Sequence, residues 1–405
     1  MTNSNQASNQ ASLVPSSKGI TRREGLMLTV LGSAMLMAGC GGGGGGGGTP
    51  PVATGSSATG AITGFGSIIV GGVRFDDSAA SVQDDDGASL NRGDLKLGTV
   101  VRIKGGKKTD DGSSIRANAH SIEVHSELQG PVDSKTANSI VVLGQTVKIS
   151  ATTFFEDGLT LASLVVGAVV EVHGFVNPVD NTLTATRIES KANAKVFKLQ
   201  GVISALNTAT KTFTIGTLTI SYLTAVLPSS LTLANGSVVR VRLALTPLTG
   251  TRTALKVQKF EIDKEDRNEA EVEGIITAFT STSLFSVNGL PVDASTATFE
   301  GGKTGVVLGA RVEVEGSIVN GVLVAKKVEL EDGADALKFE LHGTLSLLNT
   351  TAKTFVLRGV TVNYGTATFA IGVTALSLAN GINLEVKGVR SADNVIVATR
   401  ISLDR

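Results

Sequence analysis

One octapeptide constrains this chain more than any other feature. Gly309-Ala-Arg-Val-Glu-Val-Glu-Gly316 recurs as Gly98-Thr-Val-Val-Arg-Ile-Lys-Gly105, Gly167-Ala-Val-Val-Glu-Val-His-Gly174, Gly236-Ser-Val-Val-Arg-Val-Arg-Leu243 and Gly381-Ile-Asn-Leu-Glu-Val-Lys-Gly388. The leading glycines stand 69, 69, 73 and 72 residues apart, which makes the chain a tandem array. Within each copy apolar and charged residues alternate with period two, the pattern of a strand with one face in a core and the other in water.

The same neighbours flank every copy. Each unit opens on a short apolar stretch carrying a glycine, at Gly60, Gly130, Gly201, Gly274 and Gly343. A hairpin follows, as in Phe285-Ser-Val-Asn-Gly-Leu-Pro-Val292, where Asn288-Gly289 supplies the positive φ that a tight turn needs. After the octapeptide comes a closing strand such as Ala185-Thr-Arg-Ile-Glu189 or Ala398-Thr-Arg-Ile-Ser-Leu403. Helical periodicity is confined to single turns predicted near residues 159–166 and 373–378. Five short strands in about 70 residues bury one face most readily by curling up. The expected fold is therefore all-β: a tandem array of five small five-stranded OB-like β-barrel modules, at 60–127, 128–197, 198–270, 271–338 and 339–405, with a two-sheet sandwich as the alternative. Junctions of about eight residues are short for linkers. They predict end-to-end packing into a semi-rigid rod.

Residues 1–39 have the parts of an export signal: Arg22 and Arg23, an apolar run over 26–38, then Gly39-Cys40. Thirteen apolar residues span only about 20 Å as a helix, too little for a bilayer. Leu36-Met-Ala-Gly-Cys40 resembles the bacterial lipoprotein signal, with Met37 where that family usually has Leu. The resemblance implies cleavage before Cys40, lipidation of Cys40 and attachment to a membrane. Gly41 in place of Asp after the cysteine resembles the outer-membrane-destined pattern. Thr21-Arg-Arg-Glu-Gly25 is similar to a twin-arginine signal, but Gly25 departs from it. Residues 40–59, which include the run Gly41 to Gly48, read as a flexible tether.

Charge excludes some partners. The full chain balances 36 basic against 36 acidic residues, and loss of the leader leaves a charge of about −2. Fourteen Phe, two Tyr and no Trp, with Phe213, Phe285 and Phe355 recurring at one structural slot, leave little aromatic surface for stacking on bases or sugars. Nucleic acid is therefore not an expected partner.

Candidate chemistry is sparse. His120 and His125 are an odd number of positions apart on one strand, and His173 falls in a slot filled elsewhere by Lys104, Arg242, Glu315 and Lys387, so histidines are expected at the surface. Asp84-Asp-Asp-Gly87 and Asp110-Asp-Gly112 read as solvated turns without calcium-loop spacing. Glu269, Glu271 and Glu273 share a strand face and are expected in water. No Gly-x-Ser-x-Gly elbow, phosphate loop or free cysteine nucleophile stands out. The expectation is no catalytic residue, no metal and no cofactor, with lipidation of Cys40 as the one assigned modification.

The octapeptide followed by Ala-Thr-Arg-Ile-Glu, best kept in units two, four and five, resembles tandem modules of uncharacterised bacterial lipoproteins. That resemblance implies an envelope protein held to a membrane by its N-terminal lipid. The leading expectation is a non-catalytic spacer, scaffold or adhesion-type display array. The alternative is a binding protein for an envelope polysaccharide or peptide.

Overall fold

A computed structural model describes residues 55–112, 114–260, 262–331, 338–391 and 394–404. The leader, Cys40 and most of the tether lie outside the described residues. Within them the regular structure is β-strand, with 3-10 turns at Arg92–Asp94 and Ala375–Ser377. The latter falls where a helical turn is predicted from sequence.

The strands close into small five-stranded barrels. In the unit around the founding octapeptide, the opening strand Arg267–Ser281 pairs antiparallel with Leu284–Val287, which pairs with Leu290–Asp293 across the Asn288-Gly289 turn. Leu290–Asp293 runs parallel to the closing strand Val322–Leu330. That strand pairs with Arg311–Val319, which returns to the opening strand. The ring order is therefore one, two, three, five, four, one, with no free sheet edge. The same order runs through Leu128–Lys135, Ser139–Val142, Gln145–Lys148, Leu183–Ser190 and Val169–Val176, and through Lys338–Asn349, Thr354–Leu357, Val360–Asn363, Ile396–Leu403 and Asn383–Arg390. A closed ring rules out the two-sheet sandwich.

Third-unit departures from the motif do not break the ring. Phe197–Val202 pairs with Val238–Leu243, Val238–Leu243 with Arg252–Lys259, and Arg252–Lys259 runs parallel to Leu218–Ser221. Ser204–Asn207 then closes onto Thr212–Ile215. In the first unit, Ser56–Ala61 pairs with Val100–Gly105 and the short Gly64–Phe65 closes onto Ile68–Val70. The ring continues through Val73–Asp76, parallel to Ile115–His125. Phe213, Phe285 and Phe355 are buried in the barrel interiors, as their recurrence predicts.

Opening strands overrun the unit boundaries read from sequence. Ser56–Ala61 begins inside the stretch assigned to the tether, and Arg267–Ser281 begins before residue 271. Phe197 and Lys338, placed at the ends of units two and four, start the strands of the next barrels. The opening glycine of each unit sits inside its strand rather than at its start, so each strand begins ahead of it.

The rod expectation is overturned by pairings between barrels. Ser56–Thr59 of the first unit lies parallel to Glu269–Val272 of the fourth. Gly64–Phe65 lies parallel to Glu340–Leu341 of the fifth, and Leu128–Gln129 pairs with Lys198–Leu199 of the third. One apolar cluster runs from Ile68 and Phe75 of the first barrel to Phe355 and Val386 of the fifth. Another spans the second and third barrels, and Val100, Phe175 and Ile275 join the first, second and fourth. A barrel of this size buries only about 60% of its unfolded surface, and packing on several neighbours rather than two buries more.

Candidate functional site

Packing barrel against barrel puts polar faces indoors. Strand four of each barrel alternates inward apolar side chains with outward charged ones, and another barrel covers part of that outward face. His173 is 2% exposed and His342 1% exposed, while His125 is also buried. The surface assignment of these three histidines is thus corrected; only His120 is exposed.

The acidic readings change for the same reason. Asp85 and Asp86 are not a solvated turn. Arg240 binds Asp85 at 2.9 Å, Arg242 binds Asp86, and Lys198 reaches Asp84 at 3.2 Å and Asp86 at 3.0 Å, which ties the first barrel to the third. Glu271 and Glu273, expected in water without cationic partners, are buried and paired with Lys108 and Arg311. Glu273 also accepts from the backbone N–H of Ala61 at 2.8 Å, across the contact between the first and fourth barrels.

The densest polar constellation lies on the second barrel. The register sets Glu171 opposite Glu189 and His173 opposite Arg187 on adjacent antiparallel strands, so the four side chains form a square on one face. Lys191, just past the strand end, places Nζ 2.8 Å from Glu171 and 3.0 Å from Glu189. Arg187 bonds Glu189 and reaches the Leu97 carbonyl of the first barrel at 3.2 Å. Nδ1 of His173 lies 2.6 Å from the backbone carbonyl of His125 and therefore donates to it. Burial pushes the Glu189 carboxyl up, but the Arg187 guanidinium outweighs it and holds that group down at about 2. Glu171 is likewise held below its usual range, with burial opposed by His173 and Lys191.

This square opens into a cleft of about 790 Å³ between the first, second, third and fifth barrels. Phe65, Leu97 and Phe154 supply apolar wall. Asp94, Lys198 and Arg358 add charge of both signs from three different barrels. A volume of this order matches that of ordinary ligand sites. Sequence reasoning missed the site because the outward slots of strands four and five look like solvated charge. The available signal was complementarity: Glu171 and His173 on one strand stand opposite Arg187 and Glu189 on the next.

Two further clusters have related composition. Glu340, His342 and Glu385 converge on the fifth barrel, with Nε2 of His342 2.6 Å from Glu340, Nδ1 2.9 Å from Asp404, and Lys387 bridging Glu340 and Glu385. The other is Asp84, Asp85 and Asp86, whose cationic partners are given above.

Comparisons with known proteins find the repeat and no activity. A family described as a domain of unknown function (DUF5666) matches residues 129–189, 273–329 and 342–402. These fall in the second, fourth and fifth barrels, where the octapeptide and closing motif are best kept, so the chain is similar to that family three times over. No curated protein matches. Among solved structures, drosophila Unr CSD456 is 14% identical, over 52% of this chain and 98% of that one, with a TM-score of 0.14.

Proposed function

We propose that this chain is an exported, non-catalytic binding protein of five OB-like barrels, lipid-anchored through Cys40 in the cell envelope, in which four of the barrels hold a peptide segment of mixed charge in the cleft between them. The observation that carries the reading is the meeting of Glu171, His173, Arg187, Glu189 and Lys191 on one wall of a roomy cleft built from four barrels. A peptide suits it better than a polysaccharide, because Phe154 and Phe155 are buried and offer little ring surface to a sugar, whereas acidic and basic side chains of both signs are plentiful. The spacer reading needs barrels strung out in a line, and the pairings of the first barrel with the fourth and fifth draw them together instead.

The anchor and the cleft are tested separately. Cys40→Ser chains should leave the membrane fraction, because a short run of glycine and small residues has no other hold on a bilayer; equal sedimentation of wild type and variant refutes the anchor. For the cleft, immobilised protein is challenged with a library of envelope-protein peptides. Retention of mixed-charge peptides that falls roughly tenfold or more in Lys198→Ala supports the reading. Retention no better than an unrelated barrel protein sinks it.

A further inference from the structure

We infer that Glu171, His173 and Glu189 form a binding site for a first-row divalent metal ion, which the Lys191 ammonium covers when the ion is absent. A ring nitrogen of His173 and one carboxylate oxygen from each glutamate lie within 4.8 Å of one another. Metal ligation draws such groups closer, to about 2 Å from a common centre.

Three observations carry this site in particular. First, His173 is almost fully buried, and its Nδ1 is committed to the His125 carbonyl. That bond fixes the ring and leaves Nε2 without a hydrogen-bond partner among the described residues. Backbone anchoring of one imidazole nitrogen while the other meets the metal is the usual arrangement around a ligating histidine. Second, Lys191 marks where positive charge is wanted: its Nζ bridges Glu171 and Glu189 at 2.8 and 3.0 Å, and the side chain is 35% exposed at the edge of the cleft, so it has room to leave. Third, the two comparable clusters lack a vacancy. Both nitrogens of His342 face carboxylates, and Asp84 to Asp86 are occupied by Lys198, Arg240 and Arg242.

Donor chemistry narrows the ion. Two carboxylates alone would suit Mg²⁺ or Ca²⁺, but an imidazole held ready favours Zn²⁺ and its first-row neighbours. Arg187 stays on one oxygen of Glu189, leaving the other for the ion. The remaining coordination positions open into the cleft and are free for water or for a donor from whatever binds there.

The test uses the untagged full chain stripped with chelator, then titrated with Zn²⁺ and, separately, with Mg²⁺ by calorimetry and equilibrium dialysis. One Zn²⁺ per chain is expected at concentrations where Mg²⁺ gives no saturable uptake. His173→Gln should weaken Zn²⁺ binding roughly tenfold or more. Lys191→Met should tighten it by about tenfold, a gain that a misfolded variant cannot produce. Lys387→Met, at the corresponding ammonium on the fifth barrel, should leave it unchanged. Absence of saturable Zn²⁺ uptake, or uptake indifferent to both His173→Gln and Lys191→Met, overturns the assignment.

Discussion

Glu313 shows how much a single position owes to packing between barrels. Its carboxyl is pushed up to about 8, first by burial and then by the nearby Glu273, Glu271, Glu331 and Glu329. The cations in this region are Lys108, Arg311 and Lys327, already engaged by Glu271, Glu273 and Glu329. In the unfolded chain Glu313 ionises near 4.5, so between about 4.5 and 8 the unfolded state sheds a proton that the native state keeps. Stability from this group therefore falls as pH rises through that window and levels off above it. Glu271, held up to about 7, acts with the same sign. Glu313→Gln should flatten the decline, by on the order of 2–4 kcal/mol between pH 5 and pH 9. Denaturant titrations at the two pH values measure it, and parallel slopes for wild type and variant would remove the claim. None of this is legible in the sequence, where Glu313 occupies the polar phase of an alternating strand and alternation alone assigns it to water.

At the scale of the strand, the recurring feature is a β-bulge before the last residue of the octapeptide. Register shifts fall between Lys104 and Gly105, His173 and Gly174, Arg242 and Leu243, Glu315 and Gly316, and Lys387 and Gly388. The bulge brings the facing carbonyl so close that a Cβ on Gly174 would lie 2.2 Å from the Thr184 oxygen, and one on Gly316 2.2 Å from that of Val324. Backbone, not a flexible side chain, is what it would meet. Gly316→Ala is expected to cost about 2 kcal/mol or more, read as a lowered denaturation midpoint. A loss below about 0.5 kcal/mol would mean that the bulge relaxes freely. Strand positions, hairpin turns and the buried Phe slots were all readable, because local periodicity and turn chemistry fix them. The glycine was readable as a signature, but its reason needed the opposite strand. Leu243 also shows that the signature is dispensable: the third barrel keeps the register shift and the ring with a fully buried leucine there.

At the scale of the whole molecule, sequence fails for a definite reason. Which barrel covers which depends on matching outward faces hundreds of residues apart, and outward charge carries no label for its partner. The acidic turn of the first barrel is such a match with the third. Asp85→Ala would leave Arg240 without its buried carboxylate partner and is expected to cost about 2–4 kcal/mol in denaturant unfolding. An effect within 0.5 kcal/mol, typical of a surface change, would return Asp85 to the solvated turn. Scattering on residues 55–405 tests the arrangement itself: a compact body of this length has a radius of gyration of about 20 Å, against roughly 30 Å or more for five barrels in line. The larger value would restore the rod.

The apolar cluster shared by the first and fifth barrels sets an order on synthesis. Phe65 runs beside Leu341, and the side chains that complete this cluster lie beyond residue 338, so the first barrel leaves the ribosome long before its covering partner exists. Its opening strand also waits more than 200 residues for Glu269–Val272. Until then an unpaired strand side and an apolar face are exposed, both of which invite wrong association. A chain built this way cannot mature barrel by barrel from its N-terminus; the segment beyond residue 338 is the one that seals the first barrel.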